Sequence, residues 1–182
     1  YTLETLLGIK ANNSGNPDYK GIEIKSIRKR NNRGTLFSKV PDWSISNIQS
    51  AESLLFKRGK KNPNWGNLIT LNHTISVLKK NSYNLKLNID DEYVYQVMVD
   101  KDKEYNDVCW SIKTLKDKLL QKHKETFWID VVSDKIDSKE RFFYKSVLHT
   151  SKPDLNSLSY LLIKGLITVD YLLWEKANGW KN

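Results

Sequence analysis

The chain is short of several things at once. It has one cysteine, Cys109, among 182 residues, so no intramolecular disulfide can form, and a reducing cytoplasm is the expected compartment. No run approaches the roughly 18 apolar residues of a membrane span, and no secretory leader is visible. No Gly-rich phosphate-binding motif occurs, which argues against a nucleotide cofactor. Acidic residues are outnumbered, 21 against 30 Lys and Arg, for a net charge of +9 and a pI of about 9.4. That excess favours an acidic partner, nucleic acid being the commonest. The basic residues do not line an amphipathic helix, so a membrane surface is the weaker alternative. An initiator methionine is also missing. Tyr1 leads into Leu3, Leu6 and Leu7 as if inside a helix, so the sequence reads as part of a longer chain, and absent signals at its ends exclude less.

What is present suits one sizeable core, or one domain with a smaller lobe. Apolar and polar residues alternate between the two regular periods with no internal repeat. A short helix is expected over 2–7, ended by Gly8, then a loop over 9–18 and strands over 20–27 and 34–40. The basic turn Lys29-Arg30-Asn31-Asn32-Arg33-Gly34 joins those strands. Ser44 or Ser46 caps a helix through about Phe56. Residues 83–89 and 93–99 alternate on either side of Asp90-Asp91-Glu92, which predicts an antiparallel hairpin. A helix follows over 111–124, then strands over 127–132 and 142–149. A helix from Pro153 to Lys164 stops at Gly165, and a last strand lies near 166–173. The fold class is therefore mixed α/β (α+β), a mixed sheet flanked by helices.

Chemistry concentrates near the start, in Pro17-Asp18-Tyr-Lys-Gly21-Ile-Glu23-Ile-Lys25. Ile22 to Lys25 alternate with the strand period, so Glu23 and Lys25 share one face while Ile22 and Ile24 enter the core. Gly21 lets the chain turn between Asp18 and that strand. Two carboxylates and an ammonium gathered at one point can hold Mg²⁺ and place a cation beside an attacking water. The triplet by itself is common. On an ordinary edge strand the same Glu and Lys would simply face solvent.

Its surroundings are more specific. Tyr1-Thr-Leu-Glu-Thr-Leu-Leu-Gly8, Asn12-Asn13, Pro17-Asp18, Gly21-Ile-Glu-Ile-Lys25-Ser26 and Thr35-Leu-Phe-Ser-Lys39 with Pro41 follow one another in an order that resembles the MvaI/BcnI family of type II restriction endonucleases. That family is similar to the MutH mismatch-repair nickase and lies in the PD-(D/E)xK nuclease superfamily. The resemblance is dense over 2–41, thin through the middle, and present again around 165–170. It implies a restriction-endonuclease-like core and a Mg²⁺-dependent (Mn²⁺ substituting), sequence-specific endonuclease of double-stranded DNA, acting as a monomer with a catalytic and a recognition lobe. It also implies that Asp18 and Glu23 bind the metal with the backbone carbonyl of Ile24, that Lys25 is the catalytic lysine, and that Glu4 approaches the same metal. A second lysine, found downstream in MutH-like enzymes, has three candidates, Lys113, Lys116 and Lys118. A MutH-like repair nickase and a non-catalytic DNA-binding module are the alternative functions.

Two basic groups are candidate DNA contacts. Arg28, Lys29, Arg30 and Arg33 surround the first strand and its turn; Lys57, Arg58, Lys60 and Lys61 precede Asn62-Pro-Asn-Trp65-Gly66. Trp65 and Trp180 suit exposed contact. Trp43, Trp110, Trp128 and Trp174 are expected to pack. His73, His123 and His149 have no metal-ligand spacing, and Cys109 reads as a small core residue.

Overall fold

A computed structural model describes residues 2–9, 16–28 and 34–176. In chain order, helix α1 (Thr2–Leu6) and strand β1 (Glu23–Arg28) precede helix α2 (Ala51–Arg58), β2 (Lys60–Asn62), β3 (Leu68–Leu71) and β4 (Thr74–Ile75). Strands β5 (Leu85–Ile89), β6 (Tyr93–Asp100) and β7 (Lys103–Ser111) lead into helix α3 (Ile112–Lys122). The long strands β8 (Glu125–Ile136) and β9 (Lys139–Ser151), helix α4 (Ser157–Ile163), and the short β10 (Val169–Asp170) and β11 (Leu173–Trp174) complete the described chain. It divides into two compact units, one of residues 1–39 with 116–155, the other of 40–115 with 156–182. Among the described residues no helix is long and apolar enough to cross a membrane.

The first unit is built on a mixed sheet of order β1-β8-β9. β1 runs parallel to β8, with Glu23 opposite Thr126 and Lys25 opposite Trp128. β8 and β9 form a long antiparallel hairpin closed at Ile136–Lys139. Its two loop residues, Asp137 and Ser138, both have positive φ, 48° and 63°, as a tight two-residue hairpin turn demands. One face of this sheet is the unit's core: Ile24, Ile129 and Val131 are buried there, and Leu3, Ile9, Tyr19, Phe127 and Phe142 pack on them. The period of two sends Glu23, Lys25 and Ile27 to the other face.

The second unit holds the antiparallel sheet β5-β6-β7, a smaller sheet β11-β3-β2 and the pair β10-β4. Asp90 closes the β5–β6 turn by accepting from the Glu92 and Tyr93 amides at 2.9 and 2.7 Å. Leu54, Leu55, Leu85, Leu87, Val94, Val97 and Val108 are fully or almost fully buried in this unit.

Several sequence expectations change. Residues 34–40 are not a strand, and the strand beside β1 is β8, about a hundred residues later; alternation over 34–40 cannot reveal which backbone is available to pair. β1 begins at Glu23 because Tyr19, Lys20, Gly21 and Ile22 are used in a turn. Ser50, rather than Ser44 or Ser46, caps α2 by accepting from the Ser53 amide, while 43–45 form a separate 3₁₀ turn. α4 starts at Ser157, four residues after Pro153, and the strand expected over 166–173 is two short pieces. β7 was not anticipated from the sequence. Trp174, expected to pack in the interior, is about as exposed as Trp65, and the two rings meet edge-on at 6.1 Å.

Candidate active site

Asp18 and Glu23 are brought together by a four-residue turn. The Tyr19 amide donates to the Ile22 carbonyl at 3.0 Å and the Ile22 amide to the Tyr19 carbonyl at 2.8 Å, with Lys20 and Gly21 at φ 49° and 86°. Two successive positive φ values make a tight reversal that glycine accommodates without strain. The chain therefore doubles back on itself, and Asp18 Oδ2 accepts the Ile24 amide at 3.1 Å. The spacing of Asp18 and Glu23 has thus become a geometry.

Glu23 is only 1% exposed, so the solvated edge-strand alternative is excluded. A buried carboxylate needs compensation, and two ammonium groups supply it. Lys25 Nζ lies 2.8 Å from Glu23 Oε1, and Lys122 Nζ lies 2.8 Å from Glu23 Oε2 and 3.7 Å from Asp18 Oδ1. Lys122 Nζ also donates to the Asn16 carbonyl at 2.9 Å. The same ammonium touches both carboxylates, which fixes their convergence on one point.

Lys122 was not among the three expected lysines. Lys113, Lys116 and Lys118 lie earlier on α3, Lys118 Nζ donating to Gln121 Oε1 at 3.2 Å, whereas Lys122 is the helix's last residue. In a segment with lysine at 113, 116, 118, 122 and 124, composition cannot choose the one that faces β1. The available signal was position: a cation at a helix C-terminus, favoured by the macrodipole, just before an expected strand.

The remaining candidates are dispersed. Glu4 stands half-buried on α1, whose Leu3 packs on the sheet's core face. Arg28 projects from the opposite face of β1 to Lys25, pairs with Glu140 at 2.9 Å and lies over the Phe142 ring. Lys29, Arg30 and Arg33 lie outside the described residues, as do Asn12, Asn13 and Trp180. Lys57, Arg58, Lys60, Lys61 and Trp65 all belong to the second unit. There Lys57, Lys61 and Trp65 are exposed. Lys60 is exposed too, and is drawn toward the Tyr83 ring and the Ser82 carbonyl. Arg58 has a different place from the one expected: it forms a bidentate pair with buried Asp107, both bonds 2.7 Å, and Gln96 donates to the same carboxylate. A guanidinium held in that fork is a structural group of the unit's interior.

His123 is a satisfied core histidine and Cys109 is buried, as their sequence settings suggest. Burial lowers the His123 pKa, its bond to the Leu36 carbonyl opposing the shift. Burial raises the Cys109 thiol, which argues against a thiolate nucleophile. Among the described residues no group of three or more His, Cys, Asp and Glu side chains gathers as a metal site.

Comparison with known proteins gives the family and the fold. The model of the MvaI/BcnI restriction endonuclease family matches residues 1–182. A solved restriction endonuclease MvaI–cognate DNA substrate complex is similar at 31% identity and a TM-score of 0.83, over 98% of this chain and 74% of that one. MvaI in the absence of DNA is similar at 29% identity and a TM-score of 0.58, over 90% and 68%. No curated protein matches.

Proposed function

This chain belongs to the MvaI/BcnI restriction endonuclease family, and from that premise we propose that it is a Mg²⁺-dependent, sequence-specific endonuclease of double-stranded DNA that works through Asp18, Glu23, Lys25 and Lys122. The observation that carries the reading is the single ammonium, Lys122 Nζ, within 2.8 Å of Glu23 and 3.7 Å of Asp18, with Lys25 on the other oxygen of Glu23.

The donor set suits a hard cation. Glu23 Oε2 is fully buried and, although Lys122 Nζ lies 2.8 Å away, accepts no well-aligned hydrogen bond, which leaves it capacity for a cation. Two carboxylates and the Ile24 carbonyl suit Mg²⁺, which also keeps waters of its own, and Glu4 is assigned to the same metal by the family resemblance alone. When bound there, the ion supplies Lewis-acid stabilisation of the phosphate and the leaving oxygen. The chain does the rest. The Ile24 amide holds Asp18 in place, Lys25 orients the attacking water, and Lys122 offers its ammonium to the charge developing on the phosphate. Before metal and DNA arrive, two carboxylates and two ammoniums balance one another.

The first unit is the catalytic lobe in this reading and the second the recognition lobe. A supercoiled plasmid with one recognition site is the direct test. With Mg²⁺ or Mn²⁺ it should pass through an open circle to linear DNA, because one centre per monomer attacks one phosphodiester at a time. Ca²⁺, which coordinates more loosely, should not support cutting. Full activity in excess chelator would overturn the metal-dependent mechanism. Linear product without a nicked intermediate would replace the monomer by a dimer, and circles that stay nicked would favour the repair nickase.

Phosphate contact is assigned to Arg28, Lys29, Arg30 and Arg33 and to Lys57, Lys60 and Lys61, with Trp65 at the groove. If these contacts form, log affinity should fall with log salt by about 0.9 per neutralised phosphate. Replacing Lys60 and Lys61 together should flatten the slope by about one to two while leaving sequence preference intact. Fluorescence anisotropy across a salt series decides it, and an unchanged slope would remove that loop from the interface.

A further inference from the structure

Beside the carboxylate–lysine cluster stands a histidine that the proposed chemistry does not use. His123 directly follows Lys122 and engages both ring nitrogens: Nε2 lies 2.7 Å from the Leu36 carbonyl oxygen and Nδ1 lies 2.9 Å from Thr126 Oγ1. A carbonyl oxygen only accepts, so Nε2 carries the hydrogen, and the bare Nδ1 accepts from the threonine hydroxyl. The ring is stacked on the Trp128 indole, centroids 5.6 Å apart and planes within 1°. That indole is itself fixed, its Nε1 donating to Thr150 Oγ1 at 2.9 Å. Thr126 and Trp128 are the register partners of Glu23 and Lys25 across the parallel pair β1–β8.

These contacts join three pieces of chain. Leu36 belongs to the irregular 34–40 segment, Thr126 to the strand that supports Glu23, and His123 to the end of α3. Lys122 has a long flexible stem, so its ammonium is held in place only if its own backbone is fixed. The His123 amide continues the helix by donating to Leu119 at 2.9 Å, and the ring then fastens that last turn to the sheet.

We propose that His123 is a positioning residue for the phosphodiester chemistry set out above, a reading on which this inference rests: its neutral imidazole ties Leu36 to Thr126 and so holds Lys122 against Glu23 and Asp18. Neutrality matters to the design. An imidazolium would place a third positive charge beside Lys25 and Lys122; burial, the largest influence, works against it, and the two lysines add to burial while the Leu36 carbonyl and Glu23 oppose it.

The test compares His123→Ala, His123→Gln and His123→Asn. A Gln amide reaches far enough to donate to Leu36 as Nε2–H does, whereas Asn reaches only the Nδ1 position. In single-turnover cleavage with Mg²⁺, His123→Ala is expected to be about 10- to 100-fold slow, the range for losing a supporting contact behind an active-site group. Its DNA affinity measured in Ca²⁺ should be unchanged. His123→Gln should recover most of the rate and His123→Asn should not. An independent readout is the Lys122 ¹⁵Nζ resonance, expected to be slowly exchanging in the wild-type protein and in His123→Gln but lost in His123→Ala. Should His123→Ala not fold, the Gln and Asn proteins decide by the same two measurements. Equal rates and equal Lys122 signals in Gln and Asn would overturn the proposal, as would an imidazole with the hydrogen on Nδ1. A wild-type protein that cuts no DNA would defeat the endonuclease reading, while the Lys122 signal would still decide the positioning role.

Discussion

Replacing Lys122 with alanine should slow DNA hydrolysis by about 10²- to 10³-fold, the range for removing one preorganised electrostatic donor from a reacting centre. Lys25→Ala should be at least as damaging, because Lys25 is placed beside the attacking water. Neither change should weaken specific binding in Ca²⁺ by more than a few fold, since both ammoniums face the carboxylates rather than an extended binding surface. Rapid-quench cleavage of a short duplex separates the two effects, giving the chemical rate apart from product release. If Lys122→Ala cut at the normal rate, the 2.8 Å contact with Glu23 would be a structural ion pair and the two-lysine mechanism would fail. Loss of cleavage and binding together would indicate misfolding instead.

The second large effect is on Glu23. The Gln replacement keeps the shape but removes the charge that two lysines share. With metal chelated, Glu23→Gln should therefore lower stability by about 2 kcal/mol, less than the roughly 3–5 kcal/mol for breaking a fully buried pair. The cost is reduced because Lys25 and Lys122 keep some exposure and can turn toward water. Cleavage with Mg²⁺ should fall below detection, since an amide oxygen is a poor substitute for a carboxylate on a hard cation. Urea unfolding and plasmid digestion measure the two parts. A higher urea midpoint would mean that desolvating Glu23 costs more than its ion pairs return.

How much of this centre could be read from the sequence depends on which interactions are local. Asp18, Glu23 and Lys25 were legible because a turn and a strand decide their relation within eight residues. The β5–β6 hairpin and α3 were legible for the same reason, their periods being written in consecutive residues. Lys122 was not, because its contact with Glu23 depends on the end of α3 meeting a strand about a hundred residues earlier in the chain. The 34–40 segment misled for a related reason: it has the composition of a strand, but β8 pairs with β1 in its place, and Leu36 serves His123 through a carbonyl that any residue possesses. Arg58 shows the limit of charge counting. Nothing in Lys57-Arg58-Gly-Lys60-Lys61 distinguishes the member that turns inward to Asp107, forty-nine residues away.

The reversal at Tyr19 to Ile22 sets how this chain tolerates insertions and deletions. β1 cannot slide, because Ile24 is buried and any one-residue slip would exchange the faces of Glu23 and Ile24. A residue added between Asp18 and Glu23 must therefore be absorbed by the turn, which would become a longer loop of different hand, and Asp18 would lose the Ile24 amide. Surface loops usually vary freely in length. This one behaves as a fixed-length spacer, so among chains of this kind the four residues between the carboxylates should change in identity far more readily than in number.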